Sequence, residues 1–277
     1  MDNDILVPIK RVYRYHSVLD GLEVVFNRIK EKIFGVDLSV FDKTRQYYKE
    51  TKNIELSPEE ALAKALDKKS HKDAWFTKDR KKARDILHFY KEVDTYPFRQ
   101  PYLKRHGGLR WYVHLIDHIR DEKSGKCSIL EYGCGSACLT EWLMKKFPES
   151  DYYVADIPST TLDFVKWKKK ELKYPYTILT VMLGKKGIPL KEDYDLIICQ
   201  GVLEHTLNPL EIVESFCDHL SPKGVLILDF IDTVGGENLE ASAKQRERVK
   251  ALLKRRLTTI KAIDEPKGSD GLYLRDI

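Results

Sequence analysis

The sequence lacks the features that mark membrane-spanning, secreted or metal-stabilised proteins. No stretch approaches the run of roughly 18–20 apolar residues that a membrane helix needs. The first residues are acidic, and no apolar signal-peptide core follows them. The five cysteines are odd in number and include no CxxC pair, which argues against a disulfide framework and a zinc site. We therefore expect a cytoplasmic protein with reduced thiols, no metal and no membrane partner.

A strong charge of one sign is also missing, although the two halves of the chain differ. Residues 1–125 hold 26 Lys and Arg against 20 Asp and Glu, whereas residues 126–277 hold 22 against 23. The excess of basic residues therefore lies in the N-terminal part, and it is modest. A solvated helical surface accounts for it more simply than a nucleic-acid interface does, but RNA docking stays open as an alternative.

Helical spacing of apolar residues dominates the first 125 residues. Helices are predicted over Val18–Ile33, 41–49, 57–67, 79–93 and 109–119. The third begins with a capping box, in which Ser57 is the N-cap, Pro58 the first helical residue and Glu60 the returning partner. The polar stretch 67–75 predicts a loop. The two prolines of 94–102 predict an extended or turn segment.

After residue 125, short apolar strands alternate with amphipathic helices. Strands are predicted near 128–132, 152–157, 176–182, 194–200 and 224–231, and helices near 137–147, 159–172 and 208–220. One long basic helix over 238–257 and two closing strands, 258–264 and 272–277, follow. The alternation predicts a parallel sheet with helices on both faces. We expect a mostly helical cap and substrate-recognition region at 1–125 and an α/β catalytic domain at 126–277.

The segment Cys127–Lys145 carries the most informative motif. A strand ends in Gly133-Cys134-Gly135, and an amphipathic helix begins at once. Glycines suit a tight turn that a ligand approaches closely, and the N-terminus of a helix offers free N–H groups. This arrangement is typical of nucleotide-binding βα units, but an ordinary αβ turn would look the same.

Two acids beside this turn narrow the ligand class. Glu131 precedes the first glycine by two residues; it is a poor partner for a pyrophosphate and a good one for a hydroxyl or ammonium group. Asp156 ends the next strand, 21 residues after Gly135, near the spacing of a ribose-binding acid. A cap or ion pair at the strand end is the structural alternative for Glu131.

Three segments, in this order and spacing, resemble the class I, S-adenosylmethionine-dependent methyltransferases. They are ILEYGCGSA, the acid-ended VADI, and YDLIICQGVLEHTLNP followed by LSPKGVLIL. The resemblance covers about 127–277. It implies a doubly wound α/β fold with a mostly parallel seven-stranded sheet in the order 3-2-1-4-5-7-6, strand 7 antiparallel. It also implies S-adenosylmethionine as the cofactor.

The resemblance implies a role for each turn residue toward this cofactor. Glu131 would face the methionine ammonium, directly or through water. Gly133, Cys134 and Gly135 would let the backbone pass beneath the methionine and ribose. Asp156 would accept hydrogen bonds from both ribose hydroxyls.

Four further residues follow from the resemblance. Ile157 would pack on the adenine, and backbone around Leu183 would hold it, because Gly184 stands where the family often has an acid. Gln200 would place its carbonyl near the ammonium. Arg99, on an arm before the domain, would pair with the methionine carboxylate in bidentate fashion. Alternatively, Arg99 and Tyr96 only fix that segment to the domain.

Leu203–His205 would open the acceptor side of the pocket. His205 is a candidate general base, because its unperturbed pKa suits proton removal at neutral pH, and Glu204 lies beside it. A plain helix start, with Glu204 near the positive end of the dipole, is the alternative.

The expected reaction is direct displacement of the methyl group by an oxygen or nitrogen atom. The Asp/Asn-Pro-Pro-Tyr/Phe run of many amino-methylating nucleic-acid enzymes and the Pro-Cys pair of pyrimidine C5 enzymes are both absent. A small-molecule acceptor is therefore favoured. Open alternatives are a tRNA or rRNA methyltransferase, a non-catalytic S-adenosylmethionine-binding protein and, last, an NAD-dependent dehydrogenase, against which Cys138 in place of the third fingerprint glycine counts.

Overall fold

A seven-stranded sheet organises the C-terminal half of the chain. The computed structural model describes residues 22–104, 110–122, 125–183, 190, 193–231, 238–263 and 271–275. Within them the strands are β1 (Ser128–Tyr132), β2 (Asp151–Asp156), β3 (Thr177–Thr180), β4 (Tyr194–Cys199), β5 (Leu220–Leu228), β6 (Thr258–Lys261) and β7 (Gly271–Leu274). Their order is β3-β2-β1-β4-β5-β7-β6, and β7 runs antiparallel to both neighbours. The predicted fold class is confirmed.

The topology places a crevice where the predicted motifs meet. β1 pairs in parallel with β2 on one side and with β4 on the other. The chain therefore continues outward in opposite directions from β1 and β4. Ligands of open α/β sheets bind at such a switch point, outside the carboxyl ends of the strands. Glu131, Asp156 and Gln200 all lie at these ends.

Helices cover both faces of the sheet. They are α7 (Arg110–Glu122), α8 (Cys138–Lys146), α9 (Thr160–Glu171), α10 (Pro209–His219), α11 (Glu240–Ala243) and α12 (Arg246–Arg256). Alternate strand residues face the two layers: Ile129 joins the cluster that contains Leu115 of α7, and Leu130 joins the cluster that contains Phe216 of α10. Burial on both faces explains why the central strands read as nearly continuous apolar runs.

The single helix predicted over 238–257 is wrong, because two helices, α11 and α12, occupy that stretch. The side chains of Ser242 and Gln245 donate hydrogen bonds to the carbonyls of Leu203 and Leu207, respectively. These bonds anchor α11 to the loop after β4, and a new helix starts after Gln245. The pattern of apolar residues carries no sign of this tertiary contact.

The described N-terminal region is helical and packs on the domain. Its elements are α1 (residues 22–34), a 3₁₀ turn (Leu38–Phe41), α2 (Asp42–Lys52), α3 (Pro58–Leu66), α4 (Lys68–Thr77), α5 (Ala83–Glu92) and α6 (Tyr96–Lys104). The capping box at Ser57 and Glu60 is confirmed. Tyr47 and Phe98 share a buried cluster with Phe164 and Trp167 of α9. This shared core fixes the N-terminal helices against the domain.

The loop predicted over 67–75 is wrong, since α4 occupies most of it. The Asp67 side chain accepts a hydrogen bond from the Ser70 N–H at 3.0 Å and so caps the helix. Trp75 is only 2% exposed and packs edge-on against Phe89, with ring centroids 4.7 Å apart. One buried aromatic on an otherwise polar stretch stabilises a helix that the hydrophobic pattern does not predict.

The extended segment predicted over 94–102 is also wrong, because α6 begins at Tyr96. Pro97 lies in the first turn, where its missing N–H leaves no bond unmade. Pro101 has no backbone N–H and so cannot donate the helical hydrogen bond to the Pro97 carbonyl. The Thr44 hydroxyl donates to that carbonyl at 3.0 Å. A side chain from α2 thus satisfies the group that Pro101 leaves unpaired, and the helix continues.

The apolar side of α1 is exposed. Leu22, Val25, Phe26, Ile29 and Ile33 are all more than half exposed. The start predicted for this helix, before residue 22, lies outside the described residues, as does Gly184. No helix in the part of the chain that the structure describes is both long and apolar enough to cross a membrane.

Candidate cofactor and active site

A cavity of about 490 Å³ lies at the carboxyl ends of β1, β2 and β4. Its size falls in the range of small-molecule and cofactor sites. All eleven residues predicted for the site line it: Arg99, Glu131, Gly133, Cys134, Gly135, Asp156, Ile157, Leu183, Gln200, Glu204 and His205. The fold therefore brings the predicted set together, and the role of each residue toward a ligand stays a prediction.

Both glycines of the turn have backbone that suits glycine. Gly133 has φ +71° and Gly135 has φ +51°. A Cβ at Gly133 would collide with the Val202 side chain, and one at Gly135 would collide with the amide of Gln100. The glycines thus allow a left-handed turn and close approach by two neighbours.

Glu131 acts as the cap of α8. The N-cap position is Ala137, which has a left-handed φ of +52° and no side chain that can accept a bond. Glu131 Oε2 accepts from the Thr140 N–H at 3.1 Å and from the Thr140 hydroxyl. A carboxylate at this end of a helix is also favoured by the dipole. Glu131 Oε1 has no hydrogen-bond partner among the described residues and stays available to a ligand.

The surroundings of Glu131 bring its pKa close to neutral pH. Burial raises the pKa of Glu131 to about 7, while the Thr140 bonds and the nearby Lys104 ammonium act in the opposite direction. A buried carboxylate of this kind gains a favourable partner when an ammonium group arrives. The structural alternative and the ligand role predicted for Glu131 are therefore compatible, since they use different oxygens.

Asp156 is held by backbone on both carboxylate oxygens. Oδ2 accepts from the Gly135 N–H and Oδ1 from the Ile157 N–H, each at 2.7 Å. Burial raises the pKa of Asp156 to about 6, and these two bonds oppose the rise. Each oxygen keeps a further lone pair for a donor, so the carboxylate is preset to receive a pair of hydroxyls.

The remaining cofactor-side residues are fixed by their neighbours. Gln200 Oε1 accepts from the Tyr112 hydroxyl of α7 at 2.8 Å, which ties the end of β4 to that helix. Ile157 packs against the core cluster on the α10 side of the sheet. Leu183 packs against the buried cluster that contains Trp75 and Phe89 of the N-terminal helices. Ile157 and Leu183 give the cavity apolar surface of the kind that suits a flat ring.

Glu204 and His205 lie in a 3₁₀ turn, Leu203–His205, four residues before α10. This turn is a short helix of its own with Glu204 inside it, so the catalytic role and the plain helix start both stay predictions. Glu204 is 2% exposed, and its carbonyl accepts from the Leu239 N–H at 2.9 Å. The His205 ring meets Trp75 edge-on at 5.7 Å between centroids. The N-terminal region thus holds the candidate base in place.

Sequence reasoning missed four cavity residues on the N-terminal side: Tyr90, Gln100, Leu103 and Lys104. Tyr90 stacks on Tyr96 with ring centroids 5.9 Å apart. Burial, Tyr96 and the charges of Asp156 and Glu204 raise the pKa of Tyr90 well above its ordinary value. The available signal was the helical spacing of Tyr96, Gln100 and Lys104, which the prediction of an extended segment concealed.

Metal and disulfide chemistry leave no mark among the described residues. No three His, Cys, Asp or Glu side chains there group as they would around a metal ion. The five cysteines all lie in the described ranges and are free thiols. Burial raises the pKa of Cys134 well above its ordinary value and that of Cys138 to about 12. Neither thiol is therefore activated as a nucleophile.

Residues 130–226 match a family model described as a methyltransferase domain. This stretch includes the glycine turn, both strand-end acids and the 3₁₀ turn. Together with the sheet order, the match identifies a class I, S-adenosylmethionine-dependent methyltransferase domain in this chain.

Curated relatives share this domain at low identity. The chain is 30% identical over 124 residues to the ubiquinone biosynthesis O-methyltransferase of Histophilus somni, covering 42% of this chain and 51% of the relative. It is 25% identical over 141 residues to a malonyl-acyl-carrier-protein O-methyltransferase of Bacillus cereus, covering 49% and 51%. It is 25% identical over 164 residues to the tRNA U34 carboxymethyltransferase of Pseudoalteromonas translucida, covering 56% and 49%. The chain thus spans about half the length of these relatives.

Proposed function

We propose that this protein transfers a methyl group from S-adenosylmethionine to an oxygen or nitrogen atom of an acceptor by direct displacement. The observation that carries the proposal is the placement of Glu131 and Asp156 on either side of the glycine turn, in one cavity of a methyltransferase domain. One acid suits the ammonium of the cofactor and the other suits its ribose.

The residues present fit this cofactor. The glycine turn lines the cavity and exposes backbone there, with Val202 and Gln100 packed directly against its two glycines. Asp156 presents two oriented oxygens, and Glu131 keeps Oε1 available. Ile157 and Leu183 would enclose the adenine, and Arg99 would pair with the carboxylate. The bound cofactor would supply an electrophilic methyl group on a sulfonium centre.

The chain's own contribution is position, exclusion of water and removal of one proton. His205 would accept the proton of the acceptor, because it is the imidazole that lines the cavity beside the acid Glu204. Tyr90 and Tyr96 would close the cavity from the N-terminal side. Holding the acceptor in line with the methyl group supplies much of the rate of such a displacement.

A small-molecule acceptor fits best, because side chains of the N-terminal helices line one side of a cavity of about 490 Å³. The names of two relatives point to O-methylation in ubiquinone biosynthesis and of malonyl-acyl-carrier protein. A tRNA acceptor is the second candidate, favoured by a tRNA-modifying relative and by the basic residues 1–125.

The test is a transfer assay with S-adenosylmethionine labelled in its methyl group, offered separately to a small-molecule extract and to total tRNA. Label in the small-molecule fraction supports the proposal. Label in tRNA, with transfer that falls steeply as salt rises, supports the second candidate. Tight cofactor binding with no label in either fraction would instead indicate a non-catalytic binding protein.

A further inference from the structure

A buried ion pair lies behind the glycine turn, outside the cavity. Lys168 of α9 is 1% exposed, and its ammonium pairs with the Glu141 carboxylate of α8, which is 8% exposed. The same ammonium donates to the carbonyl oxygen of Ser136 in the turn. A charge pair of this kind is expensive to bury, and an apolar pair would often pack as well. The hydrogen bond from Lys168 to Ser136 links this ion pair to the conformation of the glycine turn.

Ser136 is held from both sides. Its N–H donates to Gln100 Oε1 of α6, and its carbonyl accepts from Lys168. Its neighbours Gly135 and Ala137 both have left-handed backbone, with φ +51° and +52°. Such conformations persist where surrounding contacts determine them. The two side chains that grip Ser136 are therefore well placed to set the shape of the turn.

A third charge connects this pair to the N-terminal helices. Lys43 of α2 donates to Glu141 Oε2 and to the Tyr174 hydroxyl, each at 2.5 Å. Burial opposes ionisation of Glu141, but the Lys168 and Lys43 ammonium groups hold its pKa below the ordinary value. Burial likewise opposes the charge on Lys43, and Glu141 raises its pKa above the ordinary value. The three groups form one charged unit.

We propose that Lys168 is a positioning residue for cofactor binding: it fixes the Ser136 carbonyl, and with it the glycine turn, while Glu141 and Lys43 link that turn to the seating of the N-terminal helices. This inference rests on the proposed function. Lys168, Glu141 and Lys43 are not among the described residues that line the cavity. Their effect on the cofactor must therefore pass through the turn.

The competing explanation is that the pair only holds α8 against α9. Lys168→Met leaves Glu141 without its buried partner, so both explanations predict lower stability. The double variant Lys168→Met/Glu141→Gln removes both charges and should recover most of the melting temperature. The proposal expects it to bind S-adenosylmethionine about tenfold more weakly than the wild type. Recovery of both stability and affinity would overturn the proposal.

Two further variants complete the set. Lys166→Met changes an exposed lysine of the same helix, paired with Asp163, and should leave affinity unchanged. Lys43→Met should weaken cofactor binding about threefold. Its melting temperature is measured alongside, so that a loss of affinity can be separated from a loss of stability. Unchanged affinity in Lys43→Met would overturn the link to the N-terminal helices.

Amide hydrogen exchange separates failure of this inference from failure of the proposed function. If the wild type does not bind S-adenosylmethionine, the proposed function is rejected. The effect of Lys168 on the conformation of the glycine turn can still be tested without the cofactor. The Gly135 and Ser136 amides, bonded to Asp156 and Gln100, should then exchange faster in the double variant than in the wild type. Equal exchange at these amides would reject the positioning role.

Discussion

The two walls of the cavity differ in charge and in how they are built. The sheet wall carries acids at strand ends and in the following loop, Glu131, Asp156 and Glu204. The wall from the N-terminal helices carries cations and aromatic rings, Arg99, Lys104, Tyr90 and Tyr96. A ligand with an ammonium group, ribose hydroxyls and a carboxylate presents opposite charges to opposite walls. S-adenosylmethionine has this pattern, and an NAD pyrophosphate does not.

The difference also separates groups that are fixed from groups that can adapt. Both Asp156 oxygens and one Glu131 oxygen accept hydrogen bonds from backbone N–H groups. Arg99 and Lys104 are long side chains on a helix that contacts the turn through Gln100. The sheet wall should therefore set the orientation of the ligand, while the helical wall should close over it.

The largest effect is expected at the acceptor end. His205→Ala should lower turnover about a hundredfold, because it removes the proposed general base, while cofactor affinity stays nearly constant. Steady-state kinetics and calorimetry measure the two quantities. His88→Ala, on the exposed side of α5, is the matched control and should change neither. Equal losses of turnover and affinity would indicate structural damage instead of a base.

Removing the ribose acid tests the sheet wall. Asp156→Ala should weaken S-adenosylmethionine binding at least tenfold, about 1.4 kcal/mol, because two hydroxyls lose a preset acceptor. Binding of 5′-methylthioadenosine, which keeps the ribose, should weaken to the same extent. Asp163→Ala on the surface of α9 is the control. Unchanged affinity for either ligand would rule out this role for Asp156.

The helical wall should discriminate between the same two ligands. Arg99→Ala should weaken S-adenosylmethionine binding about fivefold, since a partly exposed cation loses its carboxylate partner. It should leave 5′-methylthioadenosine, which has no carboxylate, unaffected. Calorimetric titration of both ligands makes the comparison, with Arg84→Ala as a control at a highly exposed arginine. An equal loss of affinity for both ligands would contradict the assignment of the carboxylate to the helical wall.

The smallest expected effect is a dependence of binding on pH. The ligand favours ionised Glu131 and Asp156, whose pKa values are raised to about 7 and about 6, so affinity should fall as pH drops through these values. In the free protein the sign is opposite: raised pKa values mean that these carboxyls reduce folding stability as pH rises through the same range. Glu131→Gln should remove the upper step in a titration series. A flat profile in the wild type would contradict both assignments.

The sequence predicts the sheet wall better than the helical wall for a physical reason. The glycine turn and the acids at Glu131 and Asp156 are local features of strand ends, so their spacing carries the geometry. The helix α6 depends on Thr44 satisfying the Pro97 carbonyl, a contact 53 residues away in sequence. The cap role of Glu131 likewise depends on Ala137 occupying the N-cap position without a side-chain acceptor. Only the folded turn shows that Ala137 holds this position.

The most direct test of the account is calorimetric titration of the purified protein with S-adenosylmethionine, S-adenosylhomocysteine and NAD in parallel. The charge pattern of the two walls predicts micromolar affinity for the first two ligands, about −8 kcal/mol, and no binding of NAD. Binding of NAD without the other two would contradict the account and identify the glycine turn as a dehydrogenase site.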